Sequence, residues 1–160
     1  MADRIVVYVT RDGHSRALAL DLGKRLGAAV CEIGDKVNRK GLIGWIKSGY
    51  QASRGLATPI SDPTPVLRDV HDLILVQPLW VGAVCPPLRT WLRAHIGEIS
   101  TAKISLLASK GGSSGKPLKT KFEAEFLPLV AFATIKESQS QAEKDRELDS
   151  FVSRIAYLGT

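Results

Sequence analysis

The chain has few cysteines, few histidines and no long apolar run, and each shortage excludes a class of protein. Its 160 residues include two cysteines and three histidines, which is too few for a disulfide framework. The histidines have no Cys, Asp or Glu at the intervals typical of metal sites, so we expect no metal ion. No apolar run approaches the ~20 residues of a membrane span, and the first residues lack the pattern of a signal peptide. We therefore expect a cytoplasmic protein with no membrane span and with Cys31 and Cys85 reduced.

The charge of the chain is positive but spread along its length. The net charge is +6 and the pI is about 9.5, which favours anionic ligands or partners through long-range attraction. The lysines and arginines are dispersed and lack the aromatic interleaving of a nucleic-acid binder, so no nucleic-acid partner is expected. A hydrophobic fraction of 44% and this length fit one globular domain over residues 1–160.

Apolar runs alternate with amphipathic stretches along the chain. The runs are continuous and rich in β-branched residues, which predicts buried strands. They cover residues 5–9, 28–33, 72–77, 103–108 and 128–135. The second run is less apolar, as suits a strand near the sheet edge. Leu18, Leu22 and Leu26 predict a helix after the first strand, and similar stripes follow the later strands. This alternation predicts a doubly wound α/β sandwich around a parallel sheet.

The connection between the second and third predicted strands is much longer than a crossover requires. Its middle carries Leu42, Trp45, Ile46 and Tyr50 at roughly helical spacing, interrupted by glycines. We predict an irregular helical insert at about 35–58, in which basic residues outnumber the one acid, Asp35. The insert either covers the sheet or forms a lid or partner surface near the ligand.

Three predicted loops have the composition of a ligand site. The first loop, residues 10–15, precedes a helix start, whose free amides and positive dipole end favour an anion. The second loop, residues 78–82, holds Trp80 directly after a buried strand, where an indole can stack on a flat ring. The third loop, residues 109–112, has glycines that let backbone amides approach a ligand closely.

Together these loops resemble the flavin-binding loops of the flavodoxin family. Thr-Arg-Asp-Gly-His-Ser at 10–15 is similar to that family's phosphate loop, Ser/Thr-x-Thr-Gly-x-Thr. Pro-Leu-Trp-Val-Gly at 78–82 resembles the loop that places an aromatic ring on the isoalloxazine, and Ser-Lys-Gly-Gly at 109–112 resembles the third flavin loop. The resemblance implies a flavodoxin-like three-layer α/β sandwich with a five-stranded parallel sheet in order 2-1-3-4-5.

The resemblance also implies a cofactor and a set of residues that bind it. The cofactor is FMN, and the activity is that of an electron-transfer protein or oxidoreductase working with a redox partner protein or a small-molecule electron acceptor. No catalytic residue is assigned. The implied cofactor-binding residues are Thr10, Arg11, Asp12, Gly13, His14, Ser15, Pro78, Leu79, Trp80, Val81, Gly82, Ser109, Lys110, Gly111 and Gly112.

Asp12 departs from the family pattern, which has a threonine there, and puts a carboxylate near the expected phosphate. At about 4 Å, repulsion between like charges is worth about 1 kcal/mol in water-like surroundings. Arg11, His14 and Arg16 are close enough in sequence to offset it, and Asp12 can instead cap the helix. The alternative function is a flavodoxin-fold binding module that has lost flavin and engages a partner through its basic insert.

Two further alternatives stay open at this stage. Trp80 is either a ring contact or an ordinary core residue, since large aromatic side chains are mostly buried. An FMN-loaded chain is either an electron carrier or an enzyme that reduces quinones or similar acceptors with NAD(P)H.

Overall fold

The structure is a computed structural model that describes residues 3–35, 60–61, 67–112 and 114–158. The helical insert predicted at about 35–58 lies outside these residues, apart from Asp35 at its first position.

The described strands form two sheets. In chain order they are β1 Arg4–Tyr8, β2 Ala29–Glu32, β3 Gly34–Asp35, β4 Ile60–Ser61, β5 Asp72–Pro78, β6 Lys103–Lys110 and β7 Leu129–Lys136. Five of them form a parallel sheet in the order β2-β1-β5-β6-β7, and β3 pairs with β4 in a small antiparallel sheet. Numbered within the larger sheet, the order is 2-1-3-4-5, so the predicted order and the predicted α/β class are confirmed.

The burial of each strand follows its apolar content. All seven residues of β5 are buried, because this strand lies at the centre of the sheet with a helical layer on each face. β2, the least apolar of the predicted strands, has no fully buried residue and lies at the edge of the sheet, as predicted.

Helices cover both faces of the sheet. They are α1 His14–Leu26, α2 Pro86–Ile99, α3 Lys116–Glu125 and α4 Gln141–Leu158. Apolar side chains of α1 and α4, such as Leu22 and Phe151, form one core cluster with Val6 of β1. Those of α2 and α3, such as Trp91 and Phe122, form the other core cluster with the opposite face of the sheet. None of the described helices is both long and apolar enough to cross a membrane.

Helices α1 and α4 differ in how their first turns are capped. α4 has a complete capping box: the Ser140 N–H donates to Glu143 Oε2 at 2.8 Å, and the Glu143 N–H donates to Ser140 Oγ at 3.2 Å. α1 begins after Gly13, which has no side chain to accept a hydrogen bond. The first turn of α1 therefore has amides that a ligand can bind.

Candidate functional site

The three predicted loops leave neighbouring strands of the sheet at the same edge. β1, β5 and β6 are adjacent and parallel, so the first, second and third loops all begin at their carboxyl ends. The Leu79 N–H donates to the Ser109 carbonyl at 2.8 Å, which joins the second loop to the third. The Ser15 and Ser109 hydroxyl oxygens lie 3.4 Å apart, which joins the first loop to the third. The structure therefore brings the three loops together.

The first loop is a tight polar turn built around a glycine. Gly13 has φ of 100°, in the left-handed region where an L side chain is strained. Its N–H donates to Thr10 Oγ1 at 3.0 Å, and the His14 N–H donates to Asp12 Oδ1 at 3.3 Å. The Ala17 N–H donates to the Gly13 carbonyl, so the amides of Ser15 and Arg16 have no acceptor within the helix.

Arg16, expected to offset the charge of Asp12, is engaged elsewhere. Its Nη2 lies 3.0 Å from both oxygens of Glu32, and its Nε donates to the Tyr8 hydroxyl at 3.3 Å. These hydrogen bonds raise the pKa of Arg16. Burial is the main cause that raises the pKa of Tyr8, whose hydroxyl also donates to Glu32 at 2.9 Å. The guanidinium of Arg16 is thus directed toward β2, whereas His14 Nε2 lies 3.9 Å from Asp12 Oδ2.

The second loop is held by hydrogen bonds to the side chain of Gln77, which is fully buried at the end of β5. Its Nε2 donates to the carbonyls of Pro78 and Ala83, each at 3.1 Å, and its Oε1 accepts the Cys85 N–H at 3.0 Å. One side chain therefore ties together both ends of residues 78–85. Gln77 is not among the predicted site residues, although a polar residue at the end of an apolar strand is a signal visible in the sequence.

Trp80 lies in the core, with 7% of its surface exposed. Trp80 belongs to the core cluster that also contains Val84 and the α2 residue Leu88. The exposed side chain of the second loop is Val81, which is 55% exposed and has φ of 52°, an unusual conformation for a β-branched residue. The structure thus places Val81, rather than Trp80, at the surface of this loop.

The third loop is open to approach at its glycines. Ser109 is buried at the end of β6, while Gly111 and Gly112 are exposed and a Cβ at either would meet nothing within 4 Å. Lys110 is half-buried, and its carbonyl accepts the Glu137 N–H at 2.8 Å. This bond adds the turn after β7 to the edge where the three loops meet.

Solved structures share this arrangement of strands and helices. A flavoprotein from Lactobacillus acidophilus NCFM in complex with FMN has a TM-score of 0.74 at 13% identity, covering 95% of this chain and 99% of that chain. A flavodoxin from the domain Archaea has a TM-score of 0.58 at 10% identity, covering 98% and 99%. Oxidised flavodoxin 1 from Bacillus cereus has a TM-score of 0.54 at 9% identity, covering 96% and 97%. No protein-family model matches the chain, and no curated protein sequence matches it.

The chain has the flavodoxin-like fold. In this fold the ligand crevice opens at the point where the strand order reverses, outside the carboxyl ends of the strands. Here that point lies between β1 and β5, because β2 continues the sheet on one side and β6 on the other. The first and second loops flank it, and the third loop follows the next strand.

A hollow lies beside the first loop. It is a cavity of about 230 Å³ lined by residues of α1, of the ends of β6 and β7, and of α4. His14 and Ser109 border it from the predicted loops, and Glu137 and Lys144 border it from the far end of the chain. Glu137 and Lys144 are absent from the predicted site because only the fold brings them to this edge.

Proposed function

We propose that this protein binds FMN non-covalently and works as an electron-transfer protein or oxidoreductase. The observation that carries the proposal is the convergence of three loops of flavin-loop composition at the switch point of a flavodoxin-like sheet. The flavoprotein with a TM-score of 0.74, which was crystallised with FMN, supports the choice of cofactor. The proposed partner is a redox protein or a small-molecule electron acceptor.

The first loop fits the phosphate end of FMN. The amides of Ser15 and Arg16 have no acceptor within the helix, and an anion at a helix start accepts such hydrogen bonds while facing the positive end of the dipole. The Thr10 hydroxyl is already placed within this turn by the Gly13 N–H. These groups would hold the phosphate, and Asp12 would weaken its binding.

The second and third loops fit the ring end. Val81 offers an exposed apolar side chain, and Gly111 with Gly112 offers backbone without side-chain obstruction. Trp80 would support the second loop from the core in the conformation described. The bound flavin would supply the redox chemistry, while these residues orient it and limit its contact with water.

A specific observation favours a second candidate, a binding module of this fold without flavin. The Asp12 carboxylate already accepts the His14 amide at the start of α1, so the protein provides an anion of its own at this position. If that internal contact persists, a phosphate gains less from the helix start.

Titration of the purified protein with FMN tests the proposal. We expect saturable quenching of flavin fluorescence with a Kd below tens of micromolar, together with a perturbed visible spectrum. Riboflavin is the matched control ligand, because it has the same ring and lacks the phosphate, and it should bind more weakly. Absence of saturable FMN binding in that range would overturn the proposal and favour the flavin-free module.

A second measurement separates a carrier from an enzyme. FMN-loaded protein is mixed with NADPH and a quinone, and NADPH consumption is followed at steady state. Multiple turnovers indicate an enzyme that uses NAD(P)H directly, whereas no turnover indicates a carrier reduced by another protein.

A further inference from the structure

Three side chains with metal-binding atoms meet beside the first loop. They are Asp12 and His14 from the start of α1 and Glu137 from the turn after β7. One ligand atom from each lies within 4.8 Å of the other two. His14 Nε2 is 3.9 Å from Asp12 Oδ2 and 3.7 Å from Glu137 Oε2. One imidazole nitrogen therefore lies no farther than 3.9 Å from one oxygen of each of two carboxylates.

These separations are too long for direct hydrogen bonds, which join nitrogen and oxygen at about 2.7 to 3.2 Å. They are close to what a shared cation requires. Two ligand atoms bound tetrahedrally to Zn²⁺ at about 2.1 Å lie about 3.4 Å apart. The Asp12 and Glu137 oxygens lie within 4.8 Å of each other, so both carboxylates would move toward the imidazole to share one ion.

The backbone under the three side chains is held by hydrogen bonds. The Glu137 N–H donates to the Lys110 carbonyl at 2.8 Å, which anchors Glu137 to the end of β6. Asp12 Oδ1 accepts the His14 N–H at 3.3 Å, and Asp12 Oδ2 lies 3.9 Å from His14 Nε2. The cluster thus combines two segments that are distant in sequence and joined through the sheet.

The charges of the three side chains favour a divalent cation, although the positive end of the α1 dipole repels it. The positive end of the α1 dipole is equivalent to about half a unit charge. Asp12 and Glu137 together carry two negative charges next to the imidazole, so attraction to a divalent ion exceeds repulsion by the helix. The side chains of Asp12, His14 and Glu137 are 57%, 46% and 31% exposed, so an ion can reach them from solvent.

We propose that Asp12, His14 and Glu137 form a binding site for a divalent transition-metal ion of the Zn²⁺ class. An imidazole nitrogen with two carboxylates suits Zn²⁺, Co²⁺ or Ni²⁺ better than Mg²⁺ or Ca²⁺, which prefer oxygen ligands only. Three protein ligands leave a coordination position for water or an anion. His14 and Glu137 also line the cavity of about 230 Å³, so the ion binds at its mouth.

This proposal departs from the expectation of no metal, which considered only intervals along the sequence. Glu137 is at the opposite end of the chain from Asp12 and His14, and only the position of β7 beside β6 brings it to them. The proposal does not depend on flavin binding, since all three ligands belong to the protein.

Titration of the flavin-free, chelator-treated full-length protein with Co²⁺ tests the site. We expect about one Co²⁺ per chain, a visible d–d absorption band, and displacement of Co²⁺ by Zn²⁺. Asp12→Asn, His14→Gln and Glu137→Gln should each weaken binding at least tenfold. All three side chains are part-exposed, and retained thermal unfolding temperatures would show that the variants fold.

Two matched variants serve as controls. Glu147→Gln removes an exposed carboxylate from α4, and His71→Gln removes an exposed imidazole that lies 3.4 Å from Asp72. Neither should change the Co²⁺ affinity. Absence of stoichiometric binding, binding unaffected by Glu137→Gln, or binding lost in His71→Gln would overturn the proposal. Because no flavin is present, failure here leaves the FMN titration as a separate question.

Discussion

The first loop and the second loop lie at the same edge of one sheet, yet different interactions hold them. The first loop is held by local polar contacts, and its Asp12 side chain is 57% exposed. The second loop is held by the buried Gln77 and by Trp80 packed in the core. Burial thus fixes the shape of the second loop, whereas the first loop keeps an exposed charge at its surface.

Removing Gln77 should have the largest effect on the fold. Gln77→Ala leaves the Pro78 and Ala83 carbonyls and the Cys85 N–H without this partner in a buried region. A buried group left unpaired costs about 1 to 3 kcal/mol, so we expect the free energy of unfolding to fall by about 3 kcal/mol. Chemical denaturation measures it. Gln141→Ala, at the exposed start of α4, is the control and should cost far less. If Gln77→Ala lowers the free energy of unfolding no more than Gln141→Ala does, Gln77 does not hold residues 78–85 in place.

Changing Asp12 should alter FMN affinity without altering the fold. With a chelator present, Asp12→Thr should tighten FMN binding about fivefold, because one like-charge repulsion in exposed surroundings is worth about 1 kcal/mol. Fluorescence titration measures the change. Asp3→Thr, at the amino-terminal side of β1, removes the same charge far from the loops and should leave the affinity unchanged. Equal tightening in both variants would mean that only net charge matters.

Val81 tests whether strain is stored in the second loop. Its φ of 52° costs about 1 to 2 kcal/mol for a side chain with a Cβ, whereas glycine avoids this cost. Glycine also loses more backbone entropy on folding, about 0.5 to 1 kcal/mol. Val81→Gly should therefore stabilise the fold by about 0.5 to 1 kcal/mol in thermal unfolding. It should also weaken FMN binding if Val81 contacts the ring. Destabilisation by Val81→Gly would contradict this account of the strain.

The smallest effect is expected at the capping box that begins α4, a motif that the start of α1 lacks. Hydrogen bonds from Ser140 lower the pKa of Glu143, so its ionised form is favoured in the folded state. The stability that the ionised Glu143 adds to the fold is present above the ordinary pKa of the carboxyl. It is lost as the pH falls through the lowered pKa. Between pH 6 and 3, the unfolding temperature of Glu143→Gln should therefore fall less than that of the unmodified protein. Glu147→Gln, farther along the same helix, should behave like the unmodified protein.

The strands were predictable because their signals are local. Continuous β-branched runs at β1 and β5 require cover on both faces, which indicates a parallel sheet between helical layers. Pro86 and Pro87 marked the start of α2, and Gly27 marked the end of α1. The resemblance of the loops to the flavodoxin family supplied the strand order that the structure confirms.

Side-chain roles that depend on distant residues were not predictable in the same way. Glu137 reaches His14 only because β7 pairs with β6, and no spacing along the chain encodes that distance. Trp80 has the same sequence neighbours whether it stacks on a ligand or packs under α2. The structure shows the packed arrangement, and the predicted ring contact stays a prediction.

Amide chemical shifts of ¹⁵N-labelled protein during FMN titration test the central claim most directly. If the three loops form one flavin site, amides in residues 10–16, 81–82 and 111–112 should shift together along a single saturation curve. The amide chemical shifts of residues at the opposite edge of the sheet, such as Gly27 and His71, should not change. Shifts confined to one loop, or found mainly at that opposite edge, would contradict the claim.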